Sequence, residues 1–201
     1  SLSCISLARL LHEPFKEDES AFEVAIEGSN QGDKLSQCIA GHFISKGIGT
    51  KKNRREGVRM MLESGVEEYY KFFATDIGLY FLDLAKEEEE EHKDDNYARA
   101  FEWFEKGYVM RKTTATINNY ALCFLKGIFV EKDIEKAKCI LKEGVLKGDP
   151  ESMYNLAQIL ESTDILESLE YYKRASSIGH KKSESRYSSL ITEIDDGKLT
   201  K

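Results

Sequence analysis

The chain has 201 residues, of which 41% are hydrophobic and 32% charged, and only two are prolines, so its composition supports a packed core and excludes a low-complexity chain. Its net charge of −7 argues against a general nucleic-acid binder, which needs a basic face to displace phosphate counterions. The sequence contains no run of 18 apolar residues, so it predicts no membrane-spanning helix.

Apolar residues recur at helical spacing along the whole chain, and no sustained two-residue alternation appears, so the pattern predicts an all-α protein. Helix boundaries are marked by capping residues, most clearly at Gly148, Asp149 and Pro150, where one helix ends and the next begins. We predict helices near residues 2–12, 18–30, 34–46, 54–66, 69–86, 96–110, 113–126, 134–147, 150–162, 165–178 and 181–194.

Every second predicted helix carries a small residue followed three places later by a bulky apolar one. Where two helices cross closely, such a small residue lets the backbones approach. The successive small residues are 33, 37, 43, 36 and 31 positions apart. The pairs are Ala8/Leu11, Gly41/Ile44, Gly78/Phe81, Ala121/Phe124, Ala157/Leu160 and Ser188/Ile191.

The helices between these carry a second pattern, in which a small residue, an apolar one at +3 and another small one at +7 recur, as in Ala100, Trp103 and Gly107. Two alternating patterns with a period of 30 to 45 residues are typical of a solenoid of helix pairs. We therefore predict a single domain over 1–201, a right-handed superhelical α-solenoid of about five antiparallel helix pairs plus one extra helix. The predicted repeats are 1–32, 33–68, 69–111, 112–148, 149–180 and a partial one at 181–201.

Four segments resemble the motifs of Sel1-like repeats, relatives of tetratricopeptide repeats. Residues 127–137 are similar to the inter-helix signature GxGVxxDxxKA, and residues 47–57 are a weaker copy in which Gly57 stands where the motif has alanine. Residues 99–106 resemble KAxxWxxKAA, and residues 170–179 resemble WxxKAAxxG. Because the period varies and the glycine loop lengthens the turn, the sequence fits this family better than the strict 34-residue tetratricopeptide repeat.

The resemblance implies a non-catalytic adaptor or scaffold that binds a partner protein through the concave face of the solenoid. One alternative is a structural subunit or regulator held on a large protein assembly. Another is a secreted, cysteine-rich, β-lactamase-like branch of the family, whose members carry a disulfide in each repeat. The chain's cysteines do not match the positions that this branch requires; they are Cys4, Cys38, Cys123 and Cys139.

No catalytic or metal-binding constellation is visible in the sequence. The histidines lie in different repeats, and neither HExxH, GxSxG nor a P-loop occurs. No CxxC occurs either, so we expect no metal and no cofactor, and we interpret the cysteines as buried thiols of a reducing compartment. We expect a cytoplasmic protein that is not an enzyme. The endoplasmic reticulum lumen and secretion stay open, because the chain does not begin with methionine.

The first helix of each pair is expected to line the concave side of a stacked array. Residues beside the small/bulky pairs should face that side, and from them we predict partner contacts by His42, Lys46, Leu79, Asp83, Asn118, Leu122, Lys126 and Gln158. The same criterion also selects Cys38, Ser45, Thr75, Leu82, Leu125, Tyr154 and Glu161. Any of the leucines could instead pack between neighbouring first helices.

Two charged segments offer rival sites. An acidic insertion at 87–95 is either a helix extension, a solvated loop or an acidic docking site. A basic patch formed by Lys51, Lys52, Arg54 and Arg55 is most simply a solvated loop before a helix. The sequence names no partner and no oligomeric state.

Overall fold

The computed structural model describes residues 18–87 and 90–197, with the side chains of 90–92 left out. These residues form ten α-helices and no strand, which confirms the all-α prediction. The helix predicted at 2–12 lies outside the described residues. The helices are α1 Asp18–Asn30, α2 Lys34–Lys46, α3 Arg54–Glu63, α4 Glu67–Glu87, α5 Glu90–Arg111, α6 Thr114–Lys126, α7 Ile134–Leu146, α8 Pro150–Leu160, α9 Ile165–Ser177 and α10 Lys181–Asp195.

Side-chain caps fix where seven of these helices begin. In each case a polar side chain accepts a hydrogen bond from the backbone N–H three residues later, which satisfies a donor that the first turn leaves unpaired. The capping residues are Asp33, Asn53, Thr113, Asp133, Asp149, Asp164 and His180. Six of them are among the short polar residues preferred at this position, which is why the predicted starts agree closely with the observed ones.

Two helix boundaries differ from prediction. Helix α3 ends at Glu63 rather than near 66, because the chain turns through Gly65, whose φ is +70°. Helix α5 begins at Glu90 rather than near 96, so the latter part of the acidic insertion is a helix extension. Glu88 and Glu89 lie outside the described residues.

The loop between α6 and α7 departs from the family motif at one residue. Helix α6 ends at Lys126 and is capped by Gly127, which adopts φ +69°. The second glycine of the motif is Gly49 in the loop after α2, at φ +62°, but Phe129 occupies the matching place at φ +61°. A bulky side chain in this conformation is unusual, and Phe129 is 56% exposed.

The chain divides into two compact units, the first ending at Trp103 and the second beginning at Phe104. In the first unit, a core cluster joins α1 to α2 through the buried residues Ala25, Ile39, Ala40 and Phe43. In the second unit, Ala157, Tyr172 and Leu190 form a cluster in which α8, α9 and α10 meet. Each cluster therefore joins consecutive helices, as expected for stacked helix pairs.

Small residues lie where paired helices cross. Gly41 of α2 and Gly57 of α3 are both buried, and a Cβ added at Gly41 would lie 2.6 Å from the carbonyl oxygen of Gly57. In the second unit, Ala121 of α6 and Ala137 of α7 are also buried, with exposures of 1% and 0%. The predicted small-residue pattern thus marks close helix contacts in both units.

The pattern fails in the last helix. Ser188 is exposed, although the repeat predicted that it would be the buried small residue of α10. The buried residues of α10 are Ser183 and Leu190 instead. Leu190 packs against Ala157 and Tyr172, so it is this large residue that faces the preceding pair.

No helix in the described part of the chain is long and apolar enough to cross a membrane.

Candidate partner-binding surface on the first helices

The residues predicted for partner binding lie on α2, α4, α6 and α8, the first helices of their pairs. Lys46, Lys126 and Gln158 are exposed, and Leu79 and Leu122 are partly buried. Cys38, Ser45 and Leu82, which the same criterion selected, are buried with exposures of 0%, 1% and 7%. Those three side chains pack inside the first unit, so their predicted place on an exposed face is wrong.

His42 is mostly enclosed, with 15% of its side chain exposed. Its ring packs against Phe73 with a centroid separation of 4.7 Å, and its Nδ1 atom has no hydrogen-bond partner. Burial lowers the pKa of His42 to about 4; Asp76 opposes this shift, and Lys46 adds to it. The ring is therefore neutral at pH 7, and its Nδ1 is not ion-paired to the Asp76 carboxylate 3.7 Å away.

Asp76 links α4 to α2 through a lysine. Lys46 Nζ donates to Asp76 Oδ1 at 2.6 Å, and only 8% of the Asp76 side chain is exposed. The Lys46 side chain is 42% exposed, so its ammonium group neutralises a buried carboxylate and still contacts solvent. A partner that approached Lys46 would meet a cation already engaged by its own chain.

The two arginines of the basic patch before α3 form ion pairs within the first unit. Arg54 donates to the carboxylate of Asp83, and Arg55 Nη1 lies 3.0 Å from Glu87 Oε2. Asp83, predicted as a partner contact, is therefore an intramolecular ion-pair partner. Lys51 and Lys52 are exposed in the loop.

Asn118 belongs to a polar network that joins α6 to α8. Its Nδ2 donates to Asp149 Oδ2 at 2.7 Å and to the Thr114 carbonyl at 3.0 Å. Its Oδ1 accepts from Ser152 Oγ and from Asn155 Nδ2, both at 3.1 Å. With donors and acceptor engaged in this way, the Asn118 amide positions the two first helices relative to each other.

A buried hydroxyl near the start of the first helices escaped the sequence analysis. Ser36, Thr116, Ser152 and Ser183 each lie three residues after the cap and are at most 4% exposed. Cβ atoms added at Gly28 and Gly144 would clash with Ser36 and Ser152. The signal was present in the sequence, because Ser36, Ser152 and Ser183 each follow a small residue of the second pattern by eight positions.

Another feature that the sequence analysis missed is a polar cluster around Tyr172, which is fully buried. The Tyr172 hydroxyl donates to Glu161 Oε1, and Arg186 donates to the same carboxylate through Nε at 3.0 Å and through Nη2. The pKa of Glu161 is lowered, mainly by the hydrogen bond from Arg186 and to a smaller extent by the one from Tyr172, although burial of the carboxylate acts to raise it. Glu161 thus connects α9 and α10 instead of facing a partner.

The cysteines fall into two classes. Cys38 and Cys123 are free and buried, whereas Cys139 is free and exposed, which corrects the expectation that all would be buried. Burial raises the pKa of Cys38 to about 11 and that of Cys123 to about 12. Cys4 lies outside the described residues. Among the described residues, no group of three or more His, Cys, Asp or Glu side chains could hold a metal ion.

These differences predict selective thiol chemistry. In a Cys4→Ser variant at pH 8, we expect one thiol, Cys139, to react rapidly with a disulfide reagent such as 5,5′-dithiobis(2-nitrobenzoic acid). Cys38 and Cys123 should react at least about a hundredfold more slowly, since thiolate formation and access are both suppressed. In urea all three should react. Rapid reaction of three thiols in the native protein would contradict the burial of Cys38 and Cys123.

Comparison with known proteins agrees with this architecture. The family model for the Sel1 repeat matches residues 35–64, 93–108, 115–138 and 150–180. The fold is similar to the crystal structure of a Sel1 repeat protein from Oxalobacter formigenes, with 19% sequence identity and a TM-score of 0.64, over 87% of this chain and 70% of that one. No curated protein matches the chain.

A second solved structure is a protective antigen present in uropathogenic Escherichia coli strains, which displays an SLR fold. It is 15% identical with a TM-score of 0.43, and the match covers 86% of this chain and 44% of that one. The matched repeats together span half of the sequence and include both patterns of small residues. The chain belongs to the Sel1 repeat family.

Proposed function

We propose that this protein is a non-catalytic adaptor that binds a segment of a partner protein through the first helices of its repeats. Sel1 repeat proteins are generally protein-interaction scaffolds and typically lack catalytic activity. The observation that carries the proposal is the placement of side chains along the first helices. Buried small residues pack inward, while neighbouring residues such as Leu79 and Leu122 keep part of their surface open.

Not all of the predicted residues are free to contact a partner. Asp83 and Asn118 are engaged inside the chain, and His42 is largely enclosed, so these three are better suited to shaping the surface than to contacting a partner. In the first unit, Leu79 keeps part of its surface open, whereas the exposed Lys46 is already engaged by Asp76. In the second unit, Leu122 is flanked on the same helix by the exposed Lys126, and Gln158 lies on α8. An apolar side chain bordered by polar groups is typical of a peptide-binding surface.

The test uses two charge substitutions and a matched control. A partner is first captured with the wild-type protein, and its affinity is then measured for each variant. Leu79→Glu and Leu122→Glu should each weaken binding at least about tenfold, equivalent to about 1.4 kcal/mol, because each places a carboxylate in an apolar contact. Leu166→Glu is the control, since Leu166 is 57% exposed and lies on the second helix α9.

The acidic insertion at 87–95 is the alternative binding site, and charge reversal there tests it. Glu88→Lys and Glu89→Lys should change the affinity little, apart from a long-range effect that salt screens. Loss of binding in these two variants, with normal binding by Leu79→Glu and Leu122→Glu, would move the site from the first helices to the insertion. Circular dichroism spectra should be the same for every variant, so that lost affinity is not caused by unfolding.

A further inference from the structure

A second surface lies at the C-terminal ends of the second helices of the second unit. There the last turns of α5 and α7, and the residue that directly follows α9, expose aliphatic side chains to solvent. Each lies two or three positions after the last small residue of the second pattern in its repeat, which is Gly107, Gly144 or Ala175. The residues are Val109 at 70% exposure, Met110 at 62%, Leu146 at 88% and Ile178 at 56%.

Side-chain contacts show that these helix ends are neighbours. Lys147 Nζ donates to the backbone carbonyl of Lys112 at 2.6 Å, and Lys112 Nζ lies 3.1 Å from Glu143 Oε2, so the ends of α5 and α7 meet. Glu151, just after the turn that follows α7, accepts from His180 Nε2 at 3.0 Å. The exposed aliphatic residues therefore follow one another along a single edge of the second unit, which we call the aliphatic edge.

Folding does not require apolar residues at these places. In the first unit, the positions two and three after Gly28 are Asn30 and Gln31, both exposed, and α1 ends normally. A leucine that is 88% exposed contributes almost nothing to the core, so Leu146 has no packing role. Recurrence of exposed aliphatic residues in three successive repeats indicates a contact surface.

The aliphatic edge is also basic. Five lysines lie on or beside it, namely Lys112, Lys142, Lys147, Lys181 and Lys182. Four carboxylates accompany them, those of Glu143, Asp149, Glu151 and Glu184. Three of the four are already engaged within the chain: Glu143 by Tyr108 and Lys112, Asp149 by Asn118 and Ser152, and Glu151 by His180 and Lys182. This excess of positive charge occurs in a chain whose net charge is −7.

We infer that the aliphatic edge of the second unit docks an acidic protein segment that carries leucine- or isoleucine-like side chains. The lysines would attract its carboxylates, and the exposed aliphatic residues would cover its apolar side chains. Adjacent helices lie roughly 8–10 Å apart. A segment in the polyproline II conformation advances about 3.1 Å per residue and points every third side chain to the same side, so an apolar residue at every third position would match the edge. This inference does not depend on the first-helix surface.

The test selects ligands directly. Phage that display random peptides are first passed over a Leu146→Ser/Ile178→Ser double variant, which removes peptides that bind elsewhere on the protein. The remaining phage are then selected for binding to the wild-type protein. We expect enriched peptides that combine Asp or Glu with Leu or Ile. By fluorescence anisotropy, these peptides should bind the wild-type protein at least about tenfold more tightly than the double variant. Their affinity should fall with added salt and in a Lys142→Glu/Lys181→Glu variant, because both changes weaken the charge attraction.

Controls separate this surface from the first helices and from unfolding. Leu79→Glu and Leu122→Glu should bind the selected peptides normally. The serine variant should keep the wild-type melting temperature, since both replaced residues are more than half exposed. No enrichment, enriched peptides without an acidic excess, or equal binding by the serine variant would overturn the inference. Sedimentation with phosphatidylserine vesicles that requires Leu146, with no peptide selected, would overturn it in favour of a membrane surface.

Discussion

Replacing Gly57 by alanine should destabilise the protein by about 2 kcal/mol, although alanine is favoured over glycine inside a helix by about 1 kcal/mol. The added Cβ would lie closer than 3.0 Å to the carbonyl oxygen of Gly41 and to the backbone of Ser45. Backbone atoms cannot rotate away as a side chain can, so α2 and α3 would have to separate. Overpacking of this kind costs about 1–3 kcal/mol, and here we expect the upper end of that range.

Urea unfolding of the wild-type protein and of Gly57→Ala would measure this effect. Glu63→Ala is the control on the same helix, because its side chain is exposed and should change the stability by no more than about 0.5 kcal/mol. An equally or more stable Gly57→Ala variant would show that α2 and α3 do not cross at these glycines. The result matters for the family resemblance, because alanine is the residue of the motif at this place.

Lowering the pH from 7 to 4 should cost the protein about 3 kcal/mol through His42 alone. In the unfolded chain this histidine takes up a proton near its ordinary pKa of 6.5, whereas in the folded protein burial lowers that pKa to about 4. Between these values the unfolded state binds more protons, so the stability contributed by neutral His42 is complete above pH 6.5. It is lost progressively as the pH falls toward 4.

The comparison is between the wild-type protein and His42→Gln, unfolded in urea at several pH values from 7 to 4. Carboxylate ion pairs weaken with acid in both proteins, so the informative quantity is the difference between their stabilities. As the pH falls, the free energy of unfolding of the wild-type protein should decrease relative to that of His42→Gln by up to about 3 kcal/mol. A difference that stays constant with pH would mean that His42 is not buried in its neutral form.

The helices and their crossings could be predicted because the signals for them are local. A cap such as Asp149 is followed by its helix within one residue, and a small residue such as Ala121 recurs in every repeat with little change of spacing. Ser188 misled this approach, because its spacing fits the repeat although Leu190 supplies the contact. At the last helix no following pair exists within the described residues to make a small residue necessary there.

The candidate surface was predicted less well, because exposure depends on partners that are distant in sequence. His42 follows the buried Gly41 and looked available, but Phe73 on the next first helix covers its ring. Asp83 is tied to Arg54 and Asn118 to Asp149, both about one repeat away. Spacing along one helix shows which residues share a face, whereas only the neighbouring repeat determines which of them stay open.

Site-specific photocrosslinking tests the central claim, that the first helices bind the partner protein. A photoreactive amino acid is placed at Leu122 or Gln158 on first helices, and at Cys139 or Glu170, which are exposed on second helices. The proteins are irradiated in the cells that naturally produce this chain, and adducts are identified by mass spectrometry. If the first helices bind the partner, the same protein should be crosslinked from Leu122 and from Gln158, and it should not be crosslinked from Cys139 or Glu170. The same adduct from the second helices alone would contradict this claim.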